Sequence, residues 1–353
     1  MIFSSYKKFY LDNTITLQEL SMLRIALLGA GRIGHVHAMN VAAHPELTLV
    51  GIADPLIENA LSLTKLVGGR AVKDPLEFIE DDSIDAVIIA TPTDTHVDLM
   101  LRAARKNKAI LCEKPVDLNL NRAREACEEL KQRNARVMVA FNRRFDPSAR
   151  EIYQAIAEGE IGELHQVMIT SRDPGFASME YLSHSGGIFR DMTIHDFDMA
   201  RWLLGEEPVE IYASASRLLK PELANNNDFD TIMVQMTTQS GRQCHINGSR
   251  QASYGHDQRL EVYGSKGMLL NDNQRSSSIR RYNAQTTESR PPLVHFFLER
   301  YTEAYRIELN EFVSAIKHST PMPITPYDGY RALKLAECAQ RSAETGKPVN
   351  VED

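Results

Sequence analysis

Residues 186–202, Gly-Gly-Ile-Phe-Arg-Asp-Met-Thr-Ile-His-Asp-Phe-Asp-Met-Ala-Arg-Trp, carry the side chains best suited to chemistry. Asp191 and His195 stand four residues apart in a stretch that reads as one helix from Asp191 to Trp202, stopped by Gly205. At about 3.6 residues per turn, that spacing stacks a carboxylate and an imidazole on one face. An imidazole beside a carboxylate can have its tautomer fixed and can accept a proton near neutral pH, as a general base does. Taken alone, the pair is more simply a helix cap and a structural histidine. The rest of the chain decides.

Any reaction there needs elements that present a partner. Leu23–Leu28 is a short apolar run, followed by Gly29-Ala-Gly31-Arg-Ile-Gly34, an amphipathic stretch from Ile33 to Ala43, and a second apolar run, Leu47–Ala53. Asp54 closes the unit, 20 residues beyond Gly34. Strand, glycine-rich turn, helix, strand and acid together read as a dinucleotide site. Gly29 permits the tight turn, Gly31 lets the backbone approach a pyrophosphate, and Gly34 lets helix and strand pack closely. The helix start, with Arg32 and Ile33, offers free N–H groups and a partial positive charge to the phosphates. Asp54 would accept hydrogen bonds from the adenosine ribose and repel a 2′-phosphate, and Pro55 follows it, so NAD is favoured over NADP.

The alternation continues through Ala86–Ala90, Ala109–Cys112 and Arg136–Phe141, with helices to about Asn107 and from Asn119 to about Asn134. Strands alternating with helices imply a parallel sheet whose ligands sit at the strands' carboxyl ends, where Thr91, Pro92, Glu113 and Lys114 fall. His96 caps a helix or contacts the cofactor. After Asp146-Pro147 the pattern changes: a helix over Pro147–Glu158, then strand-like runs at Leu164–Ser171, Glu210–Arg217, Thr231–Thr238, Gln243–Arg250 and Arg259–Tyr263. Runs without intervening helices favour an antiparallel sheet, one face of which needs a cover, such as another subunit. Helices near Tyr301–Lys317 and Tyr327–Glu344 close the chain.

Composition excludes several classes. The 353 residues exceed one ordinary core, so two domains are expected. A net charge of −7 argues against a nucleic-acid partner. No run of 18 apolar residues exists to span a membrane. Four scattered cysteines (Cys112, Cys127, Cys244, Cys338) suit reduced thiols in a cytoplasm and make neither a thiolate zinc site nor a disulfide framework; no metal is expected. Residues 1–21 read as a dispensable extension, or translation starts at Met22.

Together, Gly29–Gly34, Ala90-Thr-Pro-Thr-Asp-Thr-His96, Glu113-Lys-Pro115, Phe141-Asn-Arg-Arg-Phe145, Gly187 through Trp202 and Tyr263-Gly-Ser-Lys-Gly267 resemble the glucose–fructose oxidoreductase and inositol dehydrogenase (Gfo/Idh/MocA) family across nearly all of residues 22–350. The Asn142–Asp146 and Ile194–Asp198 runs look most like inositol 2-dehydrogenases. The resemblance implies an α/β fold: a Rossmann NAD-binding domain over 22–143, then a substrate-binding and oligomerisation α+β domain over 144–353. The latter would hold a large, mostly antiparallel open sheet and form a homotetramer. It implies catalytic roles for Lys114, Asp191 and His195, with Lys114 hydrogen-bonding the reacting hydroxyl. Arg144, Asp173 and Tyr254 would contact substrate beside those three, with Asp173 standing where a neutral amide is expected. The implied activity is oxidation of a secondary alcohol of a cyclic polyol, myo-inositol to its 2-ketone. His195 would be the base, oriented by Asp191 unless that carboxylate holds the substrate hydroxyl. The alternatives are a dehydrogenase for another cyclitol or an aldose, and a catalytically silent NAD-binding regulator.

Overall fold

A computed structural model describes residues 22–352. The expectation for residues 1–21 lies outside the described residues.

Six strands form the first sheet: β1 (Leu23–Leu28), β2 (Leu47–Ala53), β3 (Arg70–Val72), β4 (Ala86–Ile89), β5 (Ala109–Cys112) and β6 (Val137–Val139). All pairings are parallel, in the order β3-β2-β1-β4-β5-β6. The strands β4, β5 and β6 are buried throughout, as expected when helices cover both faces. Those helices are α1 (Arg32–Ala43), α2 (Ile57–Val67), α3 (Leu76–Ile79), α4 (His96–Arg105) and α5 (Leu120–Gln132). Strand order reverses between β1 and β4, which opens a crevice at their carboxyl ends. The sequence reading passed over α2 and β3; a three-residue edge strand behind Gly68-Gly69 carries too short a pattern to register.

A 3₁₀ turn (Asn142–Phe145) leads into α6 (Pro147–Ala157), capped by Asp146 Oδ1 accepting from Ala149 N at 3.2 Å. Next come β7 (Leu164–Arg172), α7 (Met179–His184), α8 (Ile188–Asp191), α9 (Ile194–Leu204), β8 (Pro208–Ser216), β9 (Thr231–Thr238), β10 (Gln243–Ser249), β11 (Asp257–Gly264) and β12 (Met268–Asn271). Then α10 (Phe297–Arg300), α11 (Thr302–His318), α12 (Pro326–Thr345) and β13 (Val349–Asn350) end the fold. The second sheet runs β12-β11-β7-β10-β9-β8-β13, antiparallel except for the β7–β10 pair. Its strands alternate: on β9, Ile232, Val234 and Met236 are buried while Met233 and Gln235 face away.

The last two long helices return to the first sheet. α11 packs on α1 and the 3₁₀ turn, and α12 packs on α5 and β6 as well as on α9 and β8. A Cβ on Gly329 of α12 would lie 2.4 Å from Val116 Cγ2, so the helix can approach this closely only without a side chain there. One continuous apolar core therefore runs beneath both sheets and holds the crevice walls in register.

Candidate active site

The glycine turn joins β1 to α1. Gly29 has φ +101°, and a Cβ there would meet Ala90 O at 2.4 Å. On Gly34 it would meet Gly29 O at 2.2 Å. A Cβ on Gly31 would meet nothing within 4 Å, so the space kept clear lies outside the chain. The N-terminus of α1 has no side-chain cap, which leaves its first N–H groups for a ligand. Arg32 is exposed, its guanidinium 5.5 Å from the Phe296 ring centroid, while Ile33 packs against Tyr301, Ala304 and Tyr305. Asp54 is nearly buried: Oδ2 accepts from Ala30 N at 2.9 Å and Oδ1 from Leu56 N at 2.9 Å. It is thus a turn cap and an anchor for the glycine loop at once. A cradle open over Gly31, an uncapped helix start and an acid at the rim fit a dinucleotide.

Two strand-end loops form the opposite wall. The His96 ring lies 2.8 Å from Pro115 O and 2.9 Å from Thr91 O, tying the loops after β4 and β5 together. Burial pushes its pKa below the usual value. Thr91 Oγ1 is 2.7 Å from Thr95 Oγ1, and Pro92 is exposed. Glu113 turns inward: Oε1 is 2.8 Å from His37 Nε2 on α1, and Oε2 accepts from Lys114 N at 3.3 Å. Behind it, Glu308 of α11 is fully buried with neither carboxyl oxygen partnered among the described residues. Burial first, then Glu113, drive its pKa well above the carboxylate range.

Lys114 Nζ donates to the backbone carbonyl of Asp191 at 2.9 Å and lies 3.9 Å from Asp191 Oδ1. That carboxylate is gripped elsewhere: Oδ1 accepts from Tyr181 Oη at 2.8 Å, and Arg250 Nη1 stands 3.6 Å from Oδ2. Buried Arg250 also donates from Nη2 to Asp228 Oδ2 at 2.9 Å, and Asp228 Oδ1 accepts from Ile188 N at the start of α8. The expected single helix with a stacked Asp191–His195 pair is corrected here. The helix breaks at Met192-Thr193, and the Asp191 carboxylate bonds Tyr181 rather than His195. Asp191 makes no hydrogen bond to His195, so it does not set that ring's tautomer.

His195, in the first turn of α9, stands edge-on to Phe141 with centroids 6.0 Å apart, and its Nδ1 is enclosed without a partner among the described residues. Burial first, then the nearby Lys114, Arg143 and His256, hold its pKa well below 6.5. The ring is therefore neutral and ready to accept a proton. Arg143 Nη1 donates to buried Asp196 at 2.6 Å, and burial still pushes Asp196 up to about 6. Buried His256 places Nε2 3.5 Å from Asp173 Oδ1, again with Nδ1 unpartnered.

Lys114 meets Asp191 and lies near His195, and Asp173 joins this group through His256. Arg144 is not: Nε and Nη2 donate to Asp198 at 2.8 and 2.6 Å, and Nη2 to Asp328 at 3.1 Å, beside Trp202. Adjacent residues in the 3₁₀ turn diverge, so Arg143 faces His195 and Arg144 faces away. Tyr254 is exposed, its hydroxyl donating to Asp257 Oδ2 at 2.6 Å and accepting from Arg172 at 2.7 Å. Sequence reasoning missed Tyr181, Arg250 and His256; no local pattern marks them.

Residues 23–141 match the description "Oxidoreductase family, NAD-binding Rossmann fold", and residues 153–351 match "Oxidoreductase family, C-terminal alpha/beta domain". The chain is 46% identical over 330 residues to an inositol 2-dehydrogenase of Rhizobium meliloti, spanning 93% of this chain and 99% of that one. A solved myo-inositol dehydrogenase from Corynebacterium glutamicum is 47% identical with a TM-score of 0.91, over 94% of this chain and 99% of that one. A scyllo-inositol dehydrogenase from Lactobacillus casei, solved with bound NAD(H) and scyllo-inositol, is 28% identical with a TM-score of 0.88, over 94% and 99%.

Proposed function

The chain belongs to the glucose–fructose oxidoreductase and inositol dehydrogenase family, an NAD-binding oxidoreductase family, and on that premise we propose that it oxidises myo-inositol to the 2-ketone. The observation that carries this reading is the meeting of an ammonium, a carboxylate and a neutral imidazole at the crevice, with Lys114 Nζ 3.9 Å from the Asp191 carboxylate and 2.9 Å from its backbone carbonyl. When bound, NAD accepts a hydride from the carbinol carbon. The chain's own residues do the rest. The backbone from Gly29 through Gly31, Arg32 and Ile33 holds the pyrophosphate, Asp54 takes the ribose hydroxyls, and Thr91, Pro92 and Glu113 shape the nicotinamide end.

Lys114 donates to the reacting oxygen and stabilises its developing negative charge, a role worth roughly 10²–10³ in rate. His195, kept neutral by burial and the nearby cations, takes the hydroxyl proton. Asp191, held by Arg250, accepts from a ring hydroxyl. Asp173 and His256 line the far side of the ring. Arg144 and Tyr254, whose donors and hydroxyl are already engaged, support the walls. A silent NAD-binding protein would have no need of all three reactive groups in one pocket.

The outer face of the second sheet carries exposed Tyr212, Met233, Tyr263, Met268 and Leu270, and we assign it to further copies of the chain in a homotetramer. Sedimentation in solution tests that assignment. Four unpaired cysteines support a reducing, cytoplasmic setting. Among the described residues, no helix is long and apolar enough to cross a membrane. The activity is tested by following reduced nicotinamide with NAD and a panel of cyclitols and aldoses. myo-Inositol is expected to give the highest kcat/KM; a clear preference for an aldose would overturn the substrate assignment.

A further inference from the structure

We infer that Tyr181 is a positioning residue for the reaction: its phenol occupies the Asp191 carboxylate and keeps it from closing on Lys114, whose ammonium retains N–H groups for the substrate oxygen beside its bond to the Asp191 carbonyl. The inference rests on the polyol reading above and adds a residue to it. Three groups compete for Asp191. Arg250 approaches Oδ2 at 3.6 Å and is fixed from behind by Asp228. Lys114 Nζ is 3.9 Å from Oδ1, a long ion pair with no hydrogen bond to that oxygen. Of the three, only Tyr181 makes a short hydrogen bond to the carboxylate, at 2.8 Å to Oδ1. Remove that donor, and the nearest replacement for Oδ1 is the ammonium that catalysis needs.

The placement suits this work. Tyr181 sits in α7, whose first turn is fixed by Ser178 Oγ accepting from Tyr181 N at 3.2 Å. The residue is 51% exposed, so the phenol stands at the pocket mouth while its oxygen reaches inward. Burial and the Asp191 carboxylate push the phenol above its ordinary value, with Arg250 and Arg32 opposing. The group therefore remains a protonated donor throughout the working range.

Hydrogen bonds to a charged group are worth roughly 10–100-fold when their loss is felt in a rate. Tyr181→Phe keeps the ring and deletes the donor. It is expected to lower kcat for myo-inositol by about tenfold or more, with the Kd for NAD, read by protein fluorescence, within about twofold of wild type. In an Asp191→Asn background the same change should cost less than about threefold, since the carboxylate it restrains is gone. Equal losses in both backgrounds, or full activity of Tyr181→Phe, would overturn the inference. If the wild-type protein oxidises no polyol, the functional reading fails separately. The Tyr181–Asp191 bond is then judged by ultraviolet titration of the phenol, isolated in each background as the difference made by Tyr181→Phe. Asp191→Asn should lower the pH at which that phenol ionises, and an unmoved titration would overturn the bond.

Discussion

The glycine turn and the polyol pocket are built by different means. The turn works through backbone: Gly29, Gly31 and Gly34 act within six residues, and each acts through the side chain it lacks. The pocket works through side chains delivered from distant points, with Lys114 reaching Asp191 across 77 residues. A site made of backbone tolerates little local change but is written locally. A site made of converging side chains depends on the walls behind it, on ion pairs such as Arg144–Asp198 and Arg250–Asp228.

The largest expected break is on the pocket side. His195→Ala should lower kcat by about 10²–10⁴ while NAD still binds, the usual range for loss of a general base. The wild-type pH profile sharpens this. Because the folded environment lowers the His195 pKa, the acceptor is lost only as pH falls below about 6.5. An acid limb assigned to His195 at or above that value would contradict the assignment. Arg144→Met comes next. It removes both hydrogen bonds to buried Asp198, leaves it only Arg201 at 4.0 Å, and should cost about 3–5 kcal/mol of stability in denaturant titration. A raised KM for polyol with unchanged stability would instead return Arg144 to the substrate.

On the loop side, two glycines should fail differently. Gly34→Ala puts a Cβ 2.2 Å from Gly29 O and should lower Tm by several degrees, whereas Gly31→Ala meets no protein atom and should keep Tm while weakening NAD at least tenfold. Asp54→Ala should weaken NAD by about tenfold and relax discrimination against NADP; unchanged cofactor preference would sink that role. The smallest effect lies between the regions, at Glu308. Its folded pKa is raised, so the unfolded state releases its proton first and stability falls as pH rises above about 4.5. Glu308→Gln should therefore match wild type near pH 4 and exceed its Tm by about 2 °C near pH 8.

The difference between the regions also explains what the sequence could disclose. Every residue of the nucleotide loop lies inside one strand–turn–helix–strand pattern, and Asp54 stands where that pattern puts it. The second sheet was legible as a series of strand-like runs, and Thr231–Thr238 was bounded correctly although the exposed Met233 interrupts its apolar alternation. The pocket was only half legible. Lys114, Asp191 and His195 lie in motifs, but the break at Met192-Thr193 has no proline or glycine to announce it. Arg143 and Arg144 are chemically identical neighbours, and only the packing of the 3₁₀ turn sends one toward His195 and the other toward Asp198. Tyr181 and Arg250 owe their places entirely to tertiary contacts.

The most direct test is a crystal structure of the protein with NAD and myo-inositol. One ring oxygen is expected within hydrogen-bonding distance, about 2.6–3.2 Å, of both Lys114 Nζ and a His195 ring nitrogen. An inositol seated in the crevice with that oxygen beyond reach of either group would contradict the account.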